Sequence, residues 1–276
     1  MRSGSTLCPH CGNLVGVNDE TCFRCGRKNP GRSNALEMLF KQVMNIEFEK
    51  WVTGVCILLF LCTLVWDMNG IRSAGFDFLS PSSQSLFLFG GSGAYPVFRL
   101  GRWWTVLSAS LLHGGLLHIG FNLYWLNILL RPVRHVYGRA RTIFGFTIAS
   151  VLGFSLTSLM GMLLGTVPFL GGAQLTIGAS APIFGMLGML VASGGAMGRQ
   201  MKTYAIIFAL FGLIFPGVDN WAHAGGFLGG YLAGHFFQRM PRKPRHENIA
   251  AMLCMLAFVA SVVVSVIVNL PFARGL

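Results

Sequence analysis

Long apolar stretches separated by short polar breaks dominate the chain, near positions 51–67, 103–130, 142–165, 176–197, 203–217, 219–238 and 249–270. Each is close to the ~20 residues that carry a helix across a bilayer's hydrocarbon. The pattern predicts an all-α polytopic membrane protein: a six-helix bundle over 51–240, then a loop and a seventh transmembrane helix over 241–276. Between the fifth and sixth stretches, Pro216-Gly217-Val218-Asp219 leaves little room for a turn. The connection over 68–102 breaks the rhythm differently, since it holds Pro81, Pro96 and the apolar run Leu86-Phe87-Leu88-Phe89. A loop so long and so apolar is not simply solvated, and it is expected to be a membrane-embedded element.

Before the first apolar stretch the chain is polar. Residues 1–27 read as a small separate domain, and 28–50 as a linker of amphipathic character through Leu36, Leu39, Phe40, Val43 and Ile46. No secretory signal is expected there, because the first strongly apolar run begins near Val52.

Composition agrees with the membrane reading: 53% of residues are hydrophobic and only 11% charged, against roughly 25% charged in soluble domains. The net charge of +12 could suggest a nucleic-acid partner. The basic residues, however, sit at the ends of apolar runs, which is topogenic charge, so no nucleic acid is expected. With the N-terminus inside, 17 Lys and Arg residues fall on one side of the bilayer and 4 on the other. The expectation is a multi-pass protein of a bacterial inner (plasma) membrane, N-terminus cytoplasmic and C-terminus outside.

Within the polar head, Cys8-Pro9-His10-Cys11 and Cys22-Phe23-Arg24-Cys25 are two CxxC knuckles, each followed by glycine (Gly12, Gly26). Four thiolates at that spacing match a structural zinc ribbon. Two disulfides would be the alternative and would need an oxidising compartment. A cytoplasmic head favours zinc, with Cys8, Cys11, Cys22 and Cys25 as ligands and His10 as a bystander.

Polar residues inside the apolar stretches are few. The second carries His113, His118 and Asn122; the fourth carries Ser180 in Gly178-Ala179-Ser180-Ala181-Pro182; the sixth carries His223 in Ala222-His223-Ala224-Gly225-Gly226. Gly226, Gly230 and Gly234 recur every four residues, a smooth face that admits another helix backbone. A serine among small residues can simply let helices pack. By the topology above, though, all three stretches run inward from the same side, so Ser180, His223, His118 and Asn122 share one depth. Four polar groups meeting at one depth point to function. His223 would take the Ser180 proton and return it to the leaving amine, while the Ser180 N–H, His118 and Asn122 would hold an oxyanion. With Asp219 only at the lip, the arrangement is a dyad without an acidic third member. A transporter is disfavoured, because no charged residue lies mid-span.

His113-Gly114-Gly115-Leu116-Leu117-His118-Ile119-Gly120-Phe121-Asn122, Gly178-Ala179-Ser180 and Ala222-His223-Ala224-Gly225-Gly226 resemble, in order, the three signature stretches of rhomboid intramembrane serine proteases. The resemblance covers roughly 50–240. It implies Ser180 as nucleophile, His223 as base, and His118, Asn122 and Ser180 at the oxyanion hole. It also implies no catalytic cofactor, transmembrane helices of other membrane proteins as substrates, and a membrane-dipping 68–102 loop. Three positions depart from the family pattern. Ala181 stands where GxSG has its second glycine, which is harmless if that position is helical, as the following Pro182 suggests. Trp103-Trp104-Thr105 lacks the arginine of the usual Trp-Arg pair, and Arg134 replaces the acid usual at the end of the second span. The alternative is a non-catalytic rhomboid-like protein that binds membrane helices.

Overall fold

The computed structural model describes residues 4–8, 10–31, 47–73, 78–165, 167, 170–215 and 217–273. The amphipathic positions Leu36 to Ile46 lie outside the described residues. The chain forms two compact units, Met1–Glu47 and Phe48–Leu276.

In the first unit β1 (Ser5–Leu7) pairs antiparallel with β2 (Leu14–Gly16), Thr6 opposite Val15. Each CxxCG knuckle closes with the same bond: Gly12 N–H donates to Cys8 O at 2.8 Å, and Gly26 N–H to Cys22 O at 2.9 Å. These two glycines adopt φ +73° and +72°, a left-handed conformation that costs glycine nothing, so the two knuckles are copies of one turn.

The second unit is helical. Its order is α1 (Phe48–Trp66), α2 (Ser83–Leu88), α3 (Thr105–Ser108), α4 (Leu116–Tyr137), α5 (Arg139–Leu164), α6 (Ser180–Ser193), α7 (Gly195–Ile214), α8 (Asn220–Arg239) and α9 (Pro244–Ala273). Among the described residues α1, α5 and α9 are each long and apolar enough to cross a membrane, and α3 with α4 would add a fourth span if taken as one bent segment.

The second apolar stretch is not one helix, contrary to the pattern. Thr105–Leu111 and Leu116–Tyr137 are bent apart by 97°. His118 and Asn122 therefore do not share a helix axis with Trp103. They begin a new helix after Gly114-Gly115. The fourth stretch is also shorter than expected, because Thr176 is extended and exchanges both backbone hydrogen bonds with Ser92 (3.0 and 2.6 Å). What remains, α6, is 14 residues and almost wholly buried. It rises about 21 Å, less than the ~30 Å of hydrocarbon, so it is too short to cross a bilayer as a single helix.

Small residues set the packing around α6. A methyl at Gly226 would strike the Ala181 carbonyl, and one at Gly230 the Gly185 carbonyl, so α8 lies with its backbone against that of α6. A methyl at Gly153 of α5 would come within 2.7 Å of Ala222 O and 2.9 Å of the Ala181 Cβ. Tight backbone contact is how membrane helices associate where hydrocarbon removes the hydrophobic drive. On another side Trp125 of α4 meets Phe208 (4.8 Å) and Tyr204 (5.6 Å) of α7 edge-on.

The 68–102 connection is held from two directions. Ser92 and Ala94 bond to Thr176 and Ala173, on the segment leading into α6. From α9, Asn269 Nδ2 donates to Phe87 O (2.7 Å) and Leu88 O (3.3 Å), and Ser265 Oγ accepts from Trp104 Nε1 (3.0 Å). Arg102, 4% exposed, lies 4.9 Å over the Phe87 ring. Its backbone carbonyl accepts from Thr105 Oγ1 at 2.8 Å, at the Trp103-Trp104-Thr105 stretch that lacks the Trp-Arg arginine. Arg134 pairs with Glu49 of α1 at 3.2 Å, so its charge is met from a different helix.

Arg141, 5% exposed, joins three elements. It donates to the carbonyls of Phe237, Met240 and Pro241 at the end of α8 and meets Glu247 of α9 at 2.7 Å. Arg141→Ala would orphan those carbonyls and the carboxylate together. A loss of about 3–5 kcal/mol is expected, measured as a lower thermal midpoint and as faster proteolysis in the connection over 240–247.

Candidate active site

Ser180 is the first residue of α6 and half-buried. Gly178 puts it there: φ +127° turns the chain from the extended Ser92–Thr176 pairing into the helix, and its N–H donates to Ala109 O at 2.8 Å. The first N–H groups of a helix have no partner within it, and Pro182 has none to offer. The N–H groups of Ser180 and Ala181 therefore stand at a helix N-terminus, where negative charge is stabilised. Ala181 is inside α6 and has no positive φ, so its methyl meets no backbone strain.

His223 lies in the first turn of α8, whose cap is Asp219: Ala222 N–H donates to Asp219 Oδ1 at 3.0 Å. The imidazole stacks on Phe184 of α6, centroids 4.2 Å apart and planes 13° apart. Phe184 is four residues after Ser180 and so lies one turn below it on the same face of α6. Through Phe184, His223 is fixed over the face that carries Ser180. Its Nδ1 is buried without a partner. No hydrogen bond joins Ser180 and His223, both described residues; such bonds are often open in substrate-free sites and close with substrate.

On α4, Gly114 N–H donates to His118 Nδ1 at 3.2 Å. An Nδ1 that accepts leaves the proton on Nε2. A Cβ on Gly178 would fall 2.8 Å from that Nε2 and 3.7 Å from Asn122 Nδ2. Two side-chain donors thus converge on the residue two before Ser180. Asn122 is 1% exposed and its Nδ2 has no acceptor, which costs roughly 1–3 kcal/mol unless an incoming oxygen uses it. His113, fully buried, stands edge-on to His118 at 5.3 Å and backs that ring.

The structure gathers Ser180, His118 and Asn122 around Gly178 and sets His223 over Phe184 on the Ser180 face. Sequence reading singled out the four polar residues but not Gly178 as the shared wall, Phe184 as the platform, or Gly114 as the group that sets the His118 tautomer. Gly178 carried a signal in its Gly-Ala-Ser turn; Phe184 carried none beyond its i+4 spacing.

In the first unit, the four Sγ atoms of Cys8, Cys11, Cys22 and Cys25 lie within 4.8 Å of one another and could hold a metal ion. Two pairs meet across the knuckles, Cys8–Cys25 at 3.7 Å and Cys11–Cys22 at 3.6 Å. A disulfide needs about 2.05 Å, whereas a tetrahedron of ~2.3 Å metal–sulfur bonds has edges near 3.8 Å. None of the four is in a disulfide. Burial works to raise Cys8, but the N–H groups of Cys11 and His10 and the Cys25 and Cys11 thiols bring it down to about 6. The Arg27 N–H lowers Cys25, yet burial and the Cys11, Cys22 and Cys8 sulfurs push it up to about 12. Four crowded sulfurs do not all ionise unaided; a divalent cation would remove that repulsion.

The Rhomboid domain model matches residues 100–240. Similar proteins include RHOMBOID-like protein 4 of Arabidopsis thaliana (30% identical, over 56% of this chain and 39% of that protein). Others are Rhomboid protease GluP of Bacillus subtilis (29%, over 56% and 30%) and Rhomboid-type serine protease 2 of Emericella nidulans (28%, over 53% and 29%). The chain therefore spans less than half the length of each of these relatives.

Proposed function

Because this chain belongs to the rhomboid family of integral membrane proteins, we propose that it is an intramembrane serine endopeptidase cutting transmembrane segments of other membrane proteins. Ser180 Oγ attacks the scissile carbonyl carbon and gives its proton to His223. The carbonyl oxygen, now negative, is held by the Ser180 N–H, His118 Nε2–H and Asn122 Nδ2–H. Collapse expels the amine, which takes the proton from His223; a water deprotonated by His223 then attacks the acyl carbon, and as the C–Oγ bond breaks His223 returns that proton to Ser180 Oγ, releasing the carboxylic acid. No cofactor enters these steps. The observation that carries the reading is the partnerless Asn122 Nδ2 beside the His118 Nε2–H, both directed at Gly178 next to a helix N-terminus. Donors so placed are strengthened where water is excluded.

A fluorophosphonate probe tests it. Labelling of the wild type and none of Ser180→Ala is expected. Failure of the wild type to label under conditions where it remains folded would favour the non-catalytic, helix-binding alternative.

We assign the four cysteines a structural zinc and the first unit to the cytoplasm, as in a bacterial inner membrane, on the 17-to-4 bias of positive residues. One zinc per chain is expected by metal analysis. A chelator will unfold the β1–β2 hairpin, since so small a unit lacks a core of its own, while a chain starting at residue 45 will still fold and cleave. No zinc in freshly purified protein, or loss of folding on truncation, contradicts this.

A further inference from the structure

An exposed side of α4 carries a groove of about 660 Å³ lined by Gly120, Leu123, Tyr124, Asn127, Ile128 and Arg131. These positions recur every three or four residues and form one stripe along the helix. Tyr124 and Ile128 are 62% and 42% exposed, and a side chain at Gly120 would meet nothing within 4 Å. Hydrocarbon can therefore lie along the upper part of the stripe. Asn127 closes its wall, donating to Thr53 Oγ1 of α1 at 3.2 Å and to Leu123 O at 2.8 Å.

Arg131 ends the stripe. It is exposed and has no ionic partner among the described residues. Its neighbours in sequence differ, for Arg134 is paired with Glu49 and Arg141 with Glu247. The lining contains no acid, and a lone guanidinium at one end of a groove whose length offers Ile128, the Tyr124 ring and Leu123 calls for an oxyanion attached to a hydrocarbon chain. The dimensions agree. Gly120 to Arg131 is 11 residues, about 16 Å of helix rise, close to the ~15 Å of one leaflet of a ~30 Å hydrocarbon core.

We propose that this groove binds one anionic phospholipid. Its phosphate sits on Arg131, a planar fork suited to two parallel bonds to phosphate oxygens, and an acyl chain lies over Ile128, Tyr124 and Leu123 up to Gly120. A net anion is preferred over a zwitterion because no free carboxylate lines the groove to meet an ammonium headgroup. The site lies on the face of α4 turned away from Asn122, which is buried, so lipid binding is independent of the proposed cleavage.

The test is native mass spectrometry of the full-length protein in detergent, titrated separately with phosphatidylglycerol and phosphatidylcholine. The wild type is expected to retain one phosphatidylglycerol more tightly than phosphatidylcholine. Arg131→Gln should weaken phosphatidylglycerol about fivefold, the value of one basic residue near a charged headgroup, and Arg131→Lys should recover part of that. Gly120→Trp, which fills the groove where space is open, should weaken both lipids. Arg199→Gln, an exposed cation on another helix, is the control and should change nothing. A thermal melt of each variant checks that it is folded. Equal retention by the wild type and Arg131→Gln, or an equal loss in Arg199→Gln, means annular lipid only and overturns the proposal; so does Gly120→Trp binding like the wild type.

Discussion

Ser180→Ala and His223→Ala are each expected to reduce cleavage of a helical substrate to background, a fall of roughly 10⁶-fold where nucleophile and base act as a unit. Neither should unfold the protein. Ser180 stands at the end of α6, half-buried, and its hydroxyl makes no hydrogen bond among the described residues. Its loss costs the native state little. His223 contributes a ring stacked on Phe184, and such a contact is worth about 0.5–1.5 kcal/mol, so His223→Ala should melt a few degrees earlier. The double variant should be no slower than either single one, because the proton transfer each removes is the same step. Cleavage assays on purified protein with matched melting curves decide it: measurable turnover by Ser180→Ala contradicts the assignment of the nucleophile, whatever happens to His223.

The second large effect is expected at the Gly178 wall. His118→Ala should lower kcat by roughly 10²–10³, the usual cost of one oxyanion donor. Asn122→Ala should cost less, because the Ser180 N–H and His118 remain. Stability separates this from a packing role. Asn122 Nδ2 is buried and unpartnered, so removing it deletes an unpaid desolvation cost and should leave the melting temperature unchanged or slightly higher. A residue that glued helices together would lower it. Gly178→Ala combines two penalties: a φ of +127° that no L side chain adopts without strain, and a methyl 2.8 Å from His118 Nε2. It should inactivate at least as strongly as His118→Ala. Normal cleavage by His118→Ala and Gly178→Ala together would remove the oxyanion site from this wall.

Much of the architecture is decided by local chemistry and is legible along the chain. Hydropathy records the cost of moving each segment out of water, so a helix occurs within every one of the seven apolar stretches. The CxxCG repeats announced paired knuckles because glycine after the second cysteine is the residue that tolerates their left-handed turn. The periodic glycines of α8 forecast a backbone-to-backbone neighbour, and α6 is that neighbour. Direction and partnership are different. The 97° break at 112–115, the pairing of Ser92 with Thr176 and the shortening of α6 are set by contacts between residues far apart in sequence. A hydropathy pattern carries no term for such contacts. The same holds at the candidate site. Its polar residues stand out in an apolar chain because burying them is costly. The tautomer of His118 depends on the Gly114 N–H, the place of His223 on the Phe184 ring, and the common wall on Gly178 lacking a side chain. Each of those is a distance between atoms that only the folded backbone brings together.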